Sequence, residues 1–194
     1  MPLVLVLGGA RSGKSRFAEE LAAASGPRVI YVATAAAGDE EMARRIARHR
    51  LRRPPEWQTV EEGLALEEVI RRYGHRASSI LVDCLTGWVS NLLLAEGLPR
   101  AGCTPEEKEE YILRRADGLA RAAAALPARV IAVAGEVGMG LVPPYPLGRA
   151  FRDVAGEVNQ LMARHAEQVY LVVAGLPVEI KGLAANRGSH IGGN

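Results

Sequence analysis

The chain has 194 residues, enough for one compact domain with a buried core. Its apolar share of 48% is ordinary for a globular protein, and a formal charge of +2 does not suggest a protein that coats nucleic acid. The apolar start soon meets two glycines, so it is too short for a signal peptide or a membrane span. Cys84 and Cys103 lack the spacing of a disulfide or zinc framework, so we expect free thiols and a cytoplasmic location.

Short apolar runs alternate with helical patterns along the chain. The runs are almost continuously apolar, which is typical of parallel strands covered on both faces, and the alternation predicts an α/β three-layer fold with a mostly parallel sheet. The predicted strands are residues 3–7, 28–33, 79–83, 129–134, 168–174 and 178–181. The predicted helices are residues 14–24, 40–52, 63–72, 85–94, 105–126 and 147–167. One domain over residues 1–181 and a flexible glycine-rich tail over 182–194 are therefore expected.

The first predicted strand leads into a phosphate-binding loop. Residues 8–15 match the P-loop pattern G-x-x-x-x-G-K-[ST] at every fixed position, between an apolar strand and a helical pattern. We expect the backbone to wrap around phosphate oxygens, Lys14 to reach the β- and γ-phosphates, and the Ser15 hydroxyl to bind Mg²⁺. A tight glycine turn without a ligand is the alternative. The predicted nucleotide-binding residues of this loop are Gly8, Gly9, Ala10, Arg11, Ser12, Gly13, Lys14 and Ser15.

Two carboxylates follow later strands. Asp83 ends the run 79–83 and is a candidate Mg²⁺ ligand, either directly or through water. It could instead cap the helix that is expected from residue 85. Glu136 follows the run 129–134, at the edge of the sheet where open α/β folds bind ligands. An ordinary loop carboxylate would explain Glu136 equally well.

The helix predicted over residues 40–52 has acidic residues first and basic residues last, an order that suits the helix dipole. Met42, Ile46 and His49 share one face. A solvated charged face explains the pattern, but so does phosphate recognition by guanidinium groups with His49 as a nucleophile. Periodicity does not choose between them. The arginines of this segment are Arg44, Arg45, Arg48, Arg50, Arg52 and Arg53.

Taken in order, several segments resemble the bifunctional adenosylcobinamide kinase/adenosylcobinamide-phosphate guanylyltransferase family. The resemblance runs from about residue 3 to Lys181, and the ordered set is specific, whereas a P-loop alone is found in many enzymes. It implies a RecA-like P-loop fold, usually assembled as a homotrimer. The segments are GGARSGKSRFAEELA, YVAT, DEEMARRIARHR, PPEWQTVEE, LVDCLTGWVSNLL, GEVGMGLVP, RAFRDVAGEVNQ and VYLVVAGLPVEIK.

The resemblance also implies two reactions and a set of site residues. A nucleoside triphosphate, ATP or GTP, phosphorylates the adenosylcobinamide hydroxyl, and GMP then passes from GTP to the new phosphate through a GMP-histidine intermediate. The matching histidine is His49, preceded by Arg48 where some relatives have a second histidine. Some relatives carry Glu in place of Asp83, and others Asn in place of Gly135. The implied GTP contacts beyond the P-loop are Ala33, Thr34, Ala35, Arg50, Leu51, Arg52 and Arg53, with Glu61 or Glu62 and Asp83 nearby.

The expected partners are therefore Mg²⁺, GTP, ATP and a corrinoid acceptor, without nucleic acid or membrane insertion. Three rival hypotheses remain at this stage. The chain could be a small-molecule kinase that lacks guanylyltransferase activity, a RecA-like ATPase, or a nucleotide-binding regulator without catalysis.

Overall fold

The computed structural model of the protein describes residues 3–35 and 53–187. The helix predicted over residues 40–52, with His49, lies outside the described residues. The strands are β1 (Val4–Gly8), β2 (Val29–Ala33), β3 (Gln58–Glu61), β4 (Ser79–Asp83), β5 (Arg129–Gly135), β6 (Gln168–Val173) and β7 (Leu176–Glu179). The helices of the described part are α1 (Lys14–Ala24), α2 (Leu66–Tyr73), α3 (Leu85–Leu94), α4 (Pro105–Ala125), α5 (Pro146–His165) and α6 (Ile180–Arg187).

The described strands form a seven-stranded sheet in the order β3-β2-β4-β5-β1-β6-β7. Neighbouring strands are parallel except β6 and β7, which form an antiparallel hairpin. The predicted α/β fold with a mostly parallel sheet is confirmed. Because β5 lies between β1 and β4, the carboxyl ends of these three strands meet side by side. The P-loop, Glu136 and Asp83 follow at those ends, so the sheet order itself assembles the candidate site.

Helices cover both faces of the sheet. Alternate residues of β1 point to opposite faces. Leu5 belongs to the larger core, with α2, α3, α4 and α5, whereas Val4 and Val6 belong to the smaller core, with Ala18 and Ala22 of α1. Burial on both faces explains why the strands read as continuous apolar runs in the sequence.

Strand β3 was missed in the sequence because it is a polar edge strand. In the run Gln58–Glu61, Val60 alone is half-buried and the other three residues are exposed. Its backbone pairs with β2, with Ala33 opposite Glu61. An edge strand of this kind lacks the apolar pattern that marks the buried strands.

The C-terminal part differs from the sequence prediction in two ways. The sixth predicted strand, residues 178–181, is β7 at Leu176–Glu179, two residues earlier. The predicted tail from residue 182 continues instead as helix α6 through Arg187. The Glu179 carboxylate accepts hydrogen bonds from the N–H groups of Lys181 and Gly182, and Lys181 Nζ donates to Ala163 O near the end of α5. These contacts anchor α6 despite its glycine. Residues 188–194 lie outside the described part, so a flexible end there stays a prediction.

Across the described ranges, no helix has the length and apolar character that a membrane-spanning segment requires.

Candidate nucleotide-binding site

The P-loop connects β1 to α1 as the sequence predicts. Gly13 is the N-cap of α1 and has a φ of +96°, in the left-handed region that favours glycine. A Cβ atom on Gly13 would lie 3.1 Å from the Cα of Gly175, in the turn between β6 and β7. Both the backbone conformation and this close approach therefore require glycine at position 13. The helix N-terminus that follows presents the backbone N–H groups that bind phosphate.

Two neighbouring segments support the loop backbone. The N–H of Gly175 donates a hydrogen bond of 2.8 Å to the carbonyl of Ser12, and the N–H of Glu136 donates one of 3.1 Å to the carbonyl of Gly8. The loop is thus tied to the β6–β7 turn on one side and to the end of β5 on the other. Lys14 Nζ donates to the carbonyl of Gly9 over 3.0 Å, which holds the ammonium group across the loop. This geometry preorganises the loop for a phosphate chain.

Asp83 lies at the end of β4 with its carboxylate fixed by Tyr31. The Tyr31 hydroxyl donates a hydrogen bond of 2.9 Å to Oδ2 of Asp83. Burial, and secondarily the Asp83 charge, raise the pKa of Tyr31 well above its usual value, so the hydroxyl keeps its proton. The guanidinium carbon of Arg53 lies 3.3 Å from the centre of the Tyr31 ring, in a cation–π contact. The structure therefore places Arg53, at the end of the predicted basic stretch, over the tyrosine that binds Asp83.

The helix-cap interpretation of Asp83 is wrong. The N-cap of α3 is Cys84, whose Sγ accepts a hydrogen bond of 3.4 Å from the N–H of Gly87. Burial raises the pKa of the Cys84 thiol, and the Asp83 charge adds to this effect. Cys84 is therefore a neutral capping thiol rather than a reactive thiolate.

The segment after β2 is fixed beside Asp83 by a buried threonine. Thr34 Oγ1 accepts a hydrogen bond of 2.8 Å from the N–H of Cys84 and donates one of 2.8 Å to its carbonyl. Asn91 of α3 donates from Nδ2 to the carbonyls of Thr34, at 2.8 Å, and Gly63, at 3.1 Å. The Thr34 hydroxyl is thus hydrogen-bonded to the backbone of Cys84. The neighbouring Ala33 and Ala35 line a cavity at the end of β2.

A cavity of about 520 Å³ opens at this point. Of the two glutamates left open by the sequence, Glu62 has a structural role, because its Oε1 accepts hydrogen bonds from the N–H groups of Leu64 and Ala65 at the start of α2. Glu61 is exposed beside Ala33. Position therefore favours Glu61 as the ligand contact. The lining residues are Ala33, Thr34, Ala35, Glu61, Glu62, Gly63, Leu64, Asn91, Leu94 and Ala95.

The end of β5 is held by two side chains that the sequence did not single out. Thr86 Oγ1 accepts a hydrogen bond of 2.5 Å from the N–H of Gly135, and Asn159 Nδ2 donates one of 3.2 Å to its carbonyl. Asn159 is buried among the apolar residues of α5. A polar residue on the buried face of an amphipathic helix is the signal that could have identified it.

The oxygen donors at this edge fit a magnesium–nucleotide complex. In the parts of the chain that the structure describes, no cluster of three or more His, Cys, Asp or Glu side chains is arranged to hold a metal ion. Mg²⁺ in nucleotide sites commonly uses one or two protein oxygens and takes the rest from phosphates and water. The Ser15 hydroxyl and the Asp83 carboxylate supply oxygens of the required kind.

The structure thus brings together Gly8 to Ser15, Ala33, Thr34, Ala35, Arg53, Glu61 and Asp83 at one edge of the sheet. His49, Arg50, Leu51 and Arg52 lie outside the described residues. Their roles stay predictions.

Comparison with known proteins gives consistent matches over almost the whole chain. A family model described as "Cobinamide kinase / cobinamide phosphate guanyltransferase" matches residues 4–180. The "Bifunctional adenosylcobalamin biosynthesis protein CobP" of Pseudomonas aeruginosa is 48% identical over 178 residues, which are 92% of this chain and 96% of that protein. The "Bifunctional adenosylcobalamin biosynthesis protein CobU" of Escherichia coli is 44% identical over 184 residues, covering 92% of this chain and 99% of that protein.

Among solved structures, the chain resembles one described as "Crystal structure of the RadB recombinase". The TM-score is 0.45 and the sequence identity 16%, over 88% of this chain and 73% of that chain.

Proposed function

Since the chain belongs to the cobinamide kinase / cobinamide phosphate guanyltransferase family, we propose that it phosphorylates the hydroxyl of adenosylcobinamide and then transfers GMP from GTP to the phosphate formed. The observation that carries this proposal is the braced P-loop with Asp83, Tyr31 and Arg53 at the same edge of the sheet. This arrangement offers a phosphate cradle, a carboxylate and a fixed guanidinium group within one site.

The P-loop holds the triphosphate in both reactions. Lys14 leaves the Gly9 carbonyl and pairs with the β- and γ-phosphates, and the cavity beside Ala33, Ala35 and Glu61 holds the nucleoside. Ser15 and Asp83 would hold Mg²⁺, which would offset negative charge on the phosphates. Arg50, Leu51, Arg52 and Arg53 complete the nucleotide contacts.

GMP transfer uses His49 as the nucleophile. An imidazole nitrogen forms a bond to the α-phosphorus of GTP while the bond to pyrophosphate breaks, and the phosphate of the acceptor then takes GMP from the histidine. Support comes from Arg53, which follows His49 by four residues and lies over Tyr31 beside Asp83. Chain length alone keeps the two Cα atoms within about 14 Å of each other.

The same proposal includes a homotrimer in the cytoplasm. Both cysteines are free, as in a reducing compartment. Apolar side chains of the β6–β7 hairpin and of α6 are exposed, which supports an interface between copies. These residues are Val173, Leu176, Val178 and Leu183.

Paired assays of the two steps test the function. Adenosylcobinamide is incubated with γ-labelled ATP or GTP, and adenosylcobinamide phosphate with α-labelled GTP. We expect label in both corrinoid products with the native chain and in neither with Lys14→Ala. Arg16→Ala is the control, because Arg16 lies on the same helix in an exposed ion pair with Glu20, and such pairs contribute about 0–1 kcal/mol.

The outcomes separate the rival functions. Phosphate transfer without GMP transfer would show that the protein is a kinase that lacks guanylyltransferase activity. Absence of both, together with nucleotide hydrolysis stimulated by nucleic acid, would overturn the proposal in favour of an ATPase.

A further inference from the structure

Glu136 lies beside the P-loop without an assigned role in the chemistry. Its N–H donates to the carbonyl of Gly8, the first residue of the loop, over 3.1 Å. Strand β5, which Glu136 follows directly, lies between the P-loop strand β1 and β4, the strand that ends at Asp83. Glu136 therefore lies at the carboxyl edge of the sheet, between the P-loop and Asp83.

The backbone that carries Glu136 is fixed from both sides. Gly135 donates its N–H to Thr86 Oγ1 and accepts from Asn159 Nδ2 through its carbonyl. A buried amide such as that of Asn159 is costly unless it is hydrogen-bonded, so this contact holds a defined geometry. A Cβ atom on Gly135 would lie 3.1 Å from Thr86 Oγ1, which shows how closely α3 approaches. The position of Glu136 is set by α3, α5 and the P-loop together.

The side chain of Glu136 has one committed oxygen and one available oxygen. Oε1 accepts a hydrogen bond of 2.7 Å from the N–H of Gly138. Across residues 3–35 and 53–187, no hydrogen bond reaches Oε2, and the side chain is half-exposed. Asp83 also accepts a hydrogen bond on one oxygen, from Tyr31, and the proposed function assigns it to Mg²⁺. Of these two carboxylates, Glu136 is therefore the one left to accept a proton from an incoming group.

We propose that Glu136 is the general base of the kinase step, an inference that rests on the proposed function. The acceptor hydroxyl gives its proton to Glu136 Oε2 as its oxygen forms a bond to the terminal phosphorus of the nucleotide. The bond from that phosphorus to the bridging oxygen breaks, the nucleoside diphosphate leaves, and the proton passes from Glu136 to solvent. Atoms and charges balance without a further reactant.

The two half-reactions make different demands on this carboxylate. In the kinase step the acceptor is a hydroxyl, whose proton must be removed. In the transfer step the acceptor is a phosphate group, which is already largely ionised near neutral pH and attacks GMP-histidine without a base. Glu136 therefore serves the first reaction and is dispensable in the second.

The test is a separation of the two activities in Glu136→Gln, which keeps an oxygen for the Gly138 contact. We expect the kinase kcat to fall about 100-fold or more, with the KM for nucleotide little changed. GMP labelling of the protein, and GMP transfer to preformed adenosylcobinamide phosphate, should stay within about twofold, because neither needs this base. Glu157→Gln on the exposed side of α5 is the matched control and should leave both activities unchanged.

Two results would overturn the inference. One is a Glu136→Gln protein that retains its kinase kcat, and the other is an equal loss of both activities. If the Gln variant fails to fold, Glu136→Asp carries the test, since a shortened carboxylate should slow the kinase step while transfer persists. A native chain that makes neither product would contradict the proposed function instead, so the two failures are distinguishable.

Discussion

Tyr31 and Asp83 are joined across neighbouring parallel strands by a hydrogen bond of 2.9 Å from the phenol to the carboxylate. Tyr31 is paired with Leu81 in the register of β2 and β4, and Ala33 with Asp83, so the contact is a diagonal one on the same face of the sheet. This hydrogen bond fixes the Asp83 carboxylate at the edge of the sheet that carries the P-loop. The phenol in turn lies beneath the guanidinium group of Arg53.

Tyr31→Phe should remove this donor without changing the shape of the buried ring. We expect the free energy of unfolding to fall by about 1.5–3 kcal/mol, because a hydrogen bond to a charged group is lost. Activity should also fall, since the Asp83 carboxylate loses its orientation. Urea unfolding and the kinase assay measure the two effects. Tyr73→Phe is the control, because the Tyr73 hydroxyl accepts a hydrogen bond from Gln58 at an exposed position; equal effects in both variants would contradict the role given to Tyr31.

The raised pKa of Tyr31 predicts a loss of stability in alkaline solution. Below the ordinary tyrosine value of 10.0 the phenol is neutral in both the folded and the unfolded chain. Above that value the unfolded chain releases the proton and the folded chain keeps it, so the free energy of unfolding falls as the pH rises. Stability of the native chain should therefore decline more steeply above pH 10 than that of Tyr31→Phe. The free energy of unfolding of both proteins is measured by urea titration at several pH values. An equal decline with pH above 10 in the two proteins would exclude this linkage.

Gly13→Ala should reduce nucleotide affinity far more than another substitution at a left-handed glycine. Gly97 also has a positive φ, +74°, but an added Cβ atom there would meet nothing within 4 Å. Alanine is disfavoured by the left-handed backbone at both positions, whereas at position 13 the added Cβ atom must also displace the P-loop from Gly175. We expect GTP affinity to fall by about tenfold or more for Gly13→Ala, since small displacements of a binding group are costly, and to persist for Gly97→Ala. Calorimetric titration with GTP measures this, and similar affinities would argue against a rigid loop.

Local sequence signals predicted the parts of the site that are built locally. The P-loop could be identified because glycine, lysine and serine at fixed spacing are demanded by phosphate binding itself. Helices α1 and α3 have the predicted bounds because local signals mark where each begins, the P-loop before α1 and the end of a buried strand before α3. Such elements can be predicted without knowing which distant segments they contact.

Contacts between distant segments could not be predicted in this way. Tyr31 and Asp83 are separated by 52 residues, and Asn159 and Gly135 by 24, so their pairing depends on the sheet order and on how α5 packs. Strand β3 was missed because its residues are polar and its place at the edge comes from pairing with β2. The sequence places Asp83 and Glu136 at strand ends, but that these ends are adjacent follows from the pairing of β4 with β5 in the folded sheet.

Mapping the residue that receives GMP from α-labelled GTP tests the central claim most directly. The account predicts an acid-labile, base-stable adduct on His49, discharged when adenosylcobinamide phosphate is added and absent from His49→Ala. Label on another residue, label that persists in His49→Ala, or label that the acceptor does not remove would contradict it.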